Sequence, residues 1–218
     1  MKYIELTPTI GYIEEDQRFI CSRIGIVRGS KGTLFIDTGS SRQQLLLLDE
    51  MRTKGLLPNP SYLAITHFHE DHVANFPYFS GAKVFGTKAD TRRLRVDALV
   101  SEPTLLDLGD TKVRIVPLPN THAKGSLLID VNDGEAIFIG DALGPATDID
   151  RNAYYDRSAV YEEYRVFKDL HGKLYIGGHN GESIGEMDQP SIDKFFLDLI
   201  ERTKKAPEGR LYLENWPF

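Results

Sequence analysis

Cysteine is almost absent from this chain: Cys21 stands alone among 218 residues. No intramolecular disulfide can form, so nothing implies an oxidising compartment. Cys21 lies in the β-branched run "FICSRIGIV", where a lone cysteine reads as a small buried hydrophobe. Long hydrophobic stretches are missing as well. No run suffices to span a bilayer, and "MKYIELTPTIGYIEE" carries Glu5 where a signal peptide needs an unbroken apolar core. A cytoplasmic protein without a membrane partner is expected. Basic charge is also scarce: the formal net charge is -6, which argues against nucleic acid as a partner. The densest basic stretch, "TRRLR" from Thr91 to Arg95, reads as the solvated face of a short helix.

What remains is ordinary globular material, 41% hydrophobic and 27% charged, enough to bury one core, and residues 1–218 read as one domain. Short apolar runs alternate with helix-like segments, the pattern of an α/β fold. "FICSRIGIVRG" and "TLFID" read as a hairpin around "SKG". "RQQLLLLDEMRTKG" reads as a helix ended by Gly55. "YLAIT", "AKVFGT", "KVRIVPLP" and "KLYIGG" read as strands. "SLLIDVNDGEAIFIGD" reads as a hairpin turning at Asn132, Asp133 and Gly134. Helices are expected over "KADTRRLRVDAL", "SAVYEEYRVFKDLHG" and "PSIDKFFLDLIERTKKA". Asp37, His67, Asp141 and His179 then fall just past strand ends, with His122 in the loop after another. In α/β sheets that edge is where ligands bind.

Histidine is concentrated rather than spread. Of six histidines, three lie in "ITHFHEDHVAN", directly after a strand. In extended chain His67 and His69 point the same way and can grip one metal. If a helix follows, Asp71 and His72 share its first turn and can face a second. Imidazole and carboxylate are zinc's preferred donors, and iron or manganese also accept them. His122 in "LPNTHAKGS", Asp141 in "IFIGD" and His179 in "IGGHNG" complete a set sufficient for two divalent metal ions.

This motif, H-x-H-x-D-H at His67, His69, Asp71 and His72, followed in order by His122, Asp141 and His179, closely resembles the metallo-β-lactamase superfamily. The resemblance implies an α/β fold, the αββα four-layer sandwich, with a two-metal site at one edge of its sheets. It implies that His67, His69 and His122 hold one metal, that Asp71, His72 and His179 hold the other, and that Asp141 bridges them. It also assigns Asp37. Alone, "LFIDTGSS" looks like the catalytic loop of an aspartic protease, but those enzymes need two carboxylates and no second D-[ST]-G occurs. The resemblance instead puts Asp37 beneath the metal site, as a carboxylate that orients ligands.

The implied chemistry is hydrolysis, by a hydroxide held between two zinc ions, of a small ester- or thioester-like molecule. Asp71 and Asp141 are the expected catalytic carboxylates. The motif set is most similar to the glyoxalase II branch, without that branch's glutathione-binding helical domain. A true β-lactamase is disfavoured by Asp141 and by the lack of an export signal. Alternatives are a mono-iron oxygenase resembling persulfide dioxygenases, a lactonase or phosphodiesterase, and a binding protein that has kept the fold. Val73, Ala74, Asn75, Asn120 and Ala123 depart from residues common in the family. Tyr154 and Tyr155 read either as pocket lining or as simple packing, and Asn180 as either a substrate contact or a turn cap. His171 reads as a cation at a helix C-terminus. The tail "LYLENWPF" reads as packing against its own domain. The expected partner is a small-molecule substrate, and the expected state a monomer or homodimer.

Overall fold

A computed structural model describes residues 1–119, 122–180 and 185–214. Its first sheet contains β1 (Tyr3–Glu5), β2 (Ile10–Ile13), β3 (Ile24–Gly29), β4 (Gly32–Ile36), β5 (Tyr62–Ala64), β6 (Lys83–Gly86) and β7 (Ala98–Leu99), in that spatial order. The second is built from β8 (Thr104–Asp107), β9 (Lys112–Pro117), β10 (Leu127–Val131) and β11 (Ala136–Gly140). After an excursion through β12 (Ala146–Thr147) and β13 (Ala153–Asp156), the chain adds β14 (Tyr175–Gly177) and β15 (Glu186–Met187) to it. The order is β15-β14-β11-β10-β9-β8, and β16 (Arg210–Tyr212) pairs with β13 in a small third sheet. Helices are α1 (Arg42–Thr53), the single turn α2 (Glu70–Val73), α3 (Arg157–Phe167) and α4 (Gln189–Lys204).

Residue alternation along the strands builds the layers. Leu34 and Ile36 of β4 point into a core shared with Leu127 and Ile129 of β10, between the two sheets. Phe35 points the other way, to Leu48 and Met51 of α1. Leu128, Ile137 and Ile139 face outward onto Val160 and Phe167 of α3 and Phe196 of α4. β4, β10 and β11 are therefore buried on both faces, which is why they read as unbroken apolar runs. The result is the expected αββα sandwich. Among the described residues, no helix is long and apolar enough to cross a membrane.

Local chemistry fixes the boundaries. Ser41 caps α1 in a reciprocal box with Gln44, and Gly55 takes φ 68° after its end. The β10–β11 turn uses positive φ at Asn132, Asp133 and Gly134, as its sequence indicated. Two expectations are corrected. "KADTRRLRVDAL" forms no helix beyond a short 3₁₀ turn at Asp90–Arg92. The Asp90 carboxylate accepts from the Thr87 N–H and hydroxyl, and Asp97 bonds back to Val84, tying this segment to β6. The strand expected from Phe19 starts only at Ile24. Before it, Phe19 and Ile20 are exposed, and Ser22 bonds through both N–H and hydroxyl to the Asp71 carbonyl.

Candidate metal centre

Parallel pairing sets the site. β4 runs parallel to β5, and β11 parallel to β14, so Asp37, His67, Asp141 and His179 emerge at one edge. Asp37 leaves β4 at φ 59°, which turns its carboxylate under the next loop. There it accepts from the Thr66 N–H at 2.7 Å and the Thr66 hydroxyl at 2.6 Å. Its Oδ2 also lies 2.7 Å from His72 Nδ1. The short helix α2 carries Asp71 and His72 round to the same side as His67 and His69.

The donor atoms converge in two groups. His67, His69 and His122 form one, and Asp71, His72, Asp141 and His179 the other, with the chosen atoms of each group within 4.8 Å of one another. His122 Nε2 and His69 Nδ1 are 2.9 Å apart. His179 Nε2 is 3.0 Å from Asp71 Oδ2 and 3.4 Å from Asp141 Oδ2. Asp141 Oδ2 is also 3.7 Å from His122 Nε2, so this carboxylate stands between the groups.

The outer ring nitrogens explain the convergence. His72 Nδ1 faces Asp37, His179 Nδ1 lies 3.2 Å from Glu15 Oε2, and His122 Nδ1 donates to the Pro145 carbonyl at 2.9 Å. The Thr66 hydroxyl proton is committed to Asp37, so Thr66 Oγ1 is left to accept from His67 Nδ1, 3.2 Å away. With each of these Nδ1 atoms directed outward, each ring turns its Nε2 inward, as a lone pair wherever the ring is neutral. His67 Nε2 and His72 Nε2 are buried there with no hydrogen-bond partner. Such orphaned nitrogens are costly unless something fills the gap between them. The gap cannot be closed by bulk either, since a Cβ on Gly178 would come within 2.3 Å of Asp141 Oδ1.

Protonation follows the two groups. Burial, then the neighbouring His72 charge, holds His67 well below its usual value, and burial with His122 and His72 brings His69 down to about 4. Burial likewise lowers His122. Burial would also lower His72, but Asp141 and Asp37 outweigh it and raise this ring to about 10. His179 rises for the same reason, its burial overcome by Asp141, Asp71 and Glu15. Asp141 is held well below the carboxylate range because His72 and His179 outweigh its burial.

Other residues of interest lie elsewhere. Of the two readings open for Tyr155, its position accords with packing: it is a buried residue on β13, with its hydroxyl donating to the Leu143 carbonyl at 2.7 Å. Tyr154 packs on Tyr212 and under the Arg210 guanidinium. Asn180 is exposed and its Oδ1 accepts from Arg23 at 2.5 Å. His171 is exposed and belongs to neither group. Asn120 lies outside the described residues, as do residues 215–218 of the aromatic tail. Sequence reasoning missed Thr66, whose place directly before His67 was the available signal, and Glu15, which is 164 positions from His179 and gave none.

A family model described as the metallo-beta-lactamase superfamily matches residues 22–179. No curated protein matches the chain significantly. Among solved structures, a metallo-beta-lactamase from Cronobacter sakazakii superposes with TM-score 0.71 at 15% identity, covering 94% of this chain and 96% of that one. The flavodiiron protein from Giardia intestinalis gives TM-score 0.70 at 12% identity, covering 93% of this chain and 59% of that one. An archaeal superfamily protein from Sulfolobus tokodaii gives 0.62 at 16%, covering 96% and 91%. At such identities these likenesses establish the fold.

Proposed function

This chain belongs to the metallo-beta-lactamase superfamily, and we propose that it is a two-metal hydrolase of small ester- or thioester-like substrates, with zinc as its metal. Of the superfamily's branches, the glyoxalase II-like one fits best, because Asp141 is a carboxylate and His69 an imidazole in the full H-x-H-x-D-H set. The observation that carries the reading is the pair of buried, unpartnered nitrogens, His67 Nε2 and His72 Nε2, each at the head of a converging donor group. Nitrogen-rich donors with one or two carboxylates suit zinc.

His67, His69 and His122 would hold one ion, and Asp71, His72 and His179 the other, with Asp141 shared. Metals held there would lower the pKa of water to about 7 and polarise the scissile carbonyl. The chain's own residues do the rest. Asp71 Oδ2 is the acceptor that orients the attacking water, beside His179 Nε2 at 3.0 Å. Asp37, Glu15, Thr66 and the Pro145 carbonyl fix the four ring orientations, so no ligand must reorganise as charge develops.

Elemental analysis of protein purified without added metal or chelator tests this reading. About two zinc ions per chain are expected, with hydrolysis of at least one ester or thioester, both lost in the variant H67A/H69A. Metal content and hydrolysis that survive those substitutions would overturn it. One iron per chain with O₂ consumption would replace it with an oxygenase.

A further inference from the structure

Arg92 and Arg93, read from sequence as part of a solvated helix face, line a cleft of about 560 Å³ beside the metal centre, together with Lys88 and Lys124. Lys88, Arg92 and Arg93 come from the loop after β6, and Lys124 from the loop that carries His122. Its apolar wall is Phe68, the residue between His67 and His69, whose ring lies 5.2 Å from that of His69. The Arg93 guanidinium sits 5.5 Å over the same Phe68 ring.

Four cations converging in a chain of net charge -6 need a reason, because like charges gathered in one concavity repel. Among the described residues their carboxylate neighbour is Glu70, 3.8 Å from Arg93 and itself exposed. The acid within the segment, Asp90, is fully buried and turned inward onto Thr87, leaving the cations to face outward. The walls are fixed against each other as well. Gly125, at φ 78°, lies so close to Thr87 that a Cβ would meet its Oγ1 at 2.3 Å. That approach packs the loop carrying Lys124 against the loop carrying Lys88 and the arginines. Guanidinium and ammonium groups from two loops lining one cleft, with an aromatic face, are the chemistry of oxyanion capture.

We infer that this cleft holds an anionic arm of the substrate, a phosphate- or carboxylate-bearing group of two or more negative charges, while the scissile bond reaches the metal centre past Phe68. The inference deepens the hydrolase reading and rests on it for the second half of that statement. The volume suits part of a small molecule, and four cations suffice for one such arm.

The test separates the two claims. Binding to the full-length, metal-loaded protein is measured by calorimetry with two unreactive thioethers, S-methyl-coenzyme A for a phosphate arm and S-methyl-glutathione for a carboxylate arm. One should bind with an affinity that weakens at least tenfold in the variant K88A/R92A/K124A and falls with rising salt. The preferred probe identifies the oxyanion. Neither probe binding, or binding indifferent to the triple substitution at unchanged metal content, would overturn the inference. Turnover is then compared for acetyl thioesters of the same thiols and of neutral N-acetylcysteamine. The anionic-to-neutral ratio of kcat/KM should exceed 1 and fall at least tenfold in the variant. Substitution-sensitive binding with neither these thioesters nor the corresponding oxygen esters hydrolysed would leave the cleft assignment standing and sink the hydrolase reading instead.

Discussion

Asp37 Oδ2 lies 2.7 Å from His72 Nδ1, so a carboxylate at the end of β4 fixes a ring that the sequence carries 35 positions later. The same carboxylate accepts both Thr66 donors and, through Thr66 Oγ1, orients His67. One residue thereby serves both donor groups. Asp37→Asn preserves its size but presents an amide N–H₂ toward a donor. Metal affinity should drop by about 10- to 100-fold, the usual effect of losing such a partner. A chelator-competition titration measures it. Unchanged affinity at both sites would mean that Asp37 merely packs.

Tyr155 was a substrate-contact candidate on sequence, and its burial makes a different prediction. Tyr155→Phe leaves the Leu143 carbonyl without its donor, inside the core beneath the loop that follows Asp141. The expected cost is about 1–2 kcal/mol in urea unfolding, with KM for any turned-over substrate unaltered. A raised KM at unchanged stability would restore the tyrosine to the pocket.

The contrast between these residues marks how far the sequence could be read. Asp37 and the donor set were legible because strand-end position and H-x-H-x-D-H spacing are local signals. The sandwich was legible for a similar reason: strands buried on both faces leave apolar runs such as "TLFID" and "AIFIG". Tyr155 was not, because "NAYYD" is too short and polar to declare β13, whose pairing with β16 comes from 55 or so positions away. Glu15 sits in an acid-rich segment with no local cue, and only the fold brings it to His179. The segment from Lys88 to Leu99 misread as a helix because propensity ignores side chains such as Asp97, whose carboxylate accepts from Val84 of the strand before it.

Gly178 offers a steric test of the second donor group. Its backbone donates to the Gly140 carbonyl, and a Cβ there would meet Asp141 Oδ1 at 2.3 Å and His72 Cε1 at 2.8 Å. Both neighbours are donors of that group, so Gly178→Ala must displace one of them. Stability should fall by about 1–3 kcal/mol, as overpacking usually costs. A metal titration should lose the site formed by Asp71, His72, Asp141 and His179 while the site formed by His67, His69 and His122 still fills. Equal loss at both would show that the groups are not separable.

The opposite pKa shifts of the two groups predict that they load differently. His67, His69 and His122 are lowered, so at neutral pH they are already neutral and bind metal without losing protons. His72 and His179 are raised, to about 10 and about 12, so in the metal-free chain both are cations at pH 7. Because these folded-state values lie above the ordinary 6.5, the charged rings contribute stability that is fully present below that pH. That contribution is lost as pH rises through the folded values. A metal must displace both protons, so affinity at this group should climb with pH while that of the first stays nearly flat above neutrality. Calorimetric titration at pH 7 in two buffers of different ionisation enthalpy should count close to two protons released on filling the second site. No release would mean that the carboxylates around His72 and His179 do not hold those rings charged, and the ordered loading would fail with it.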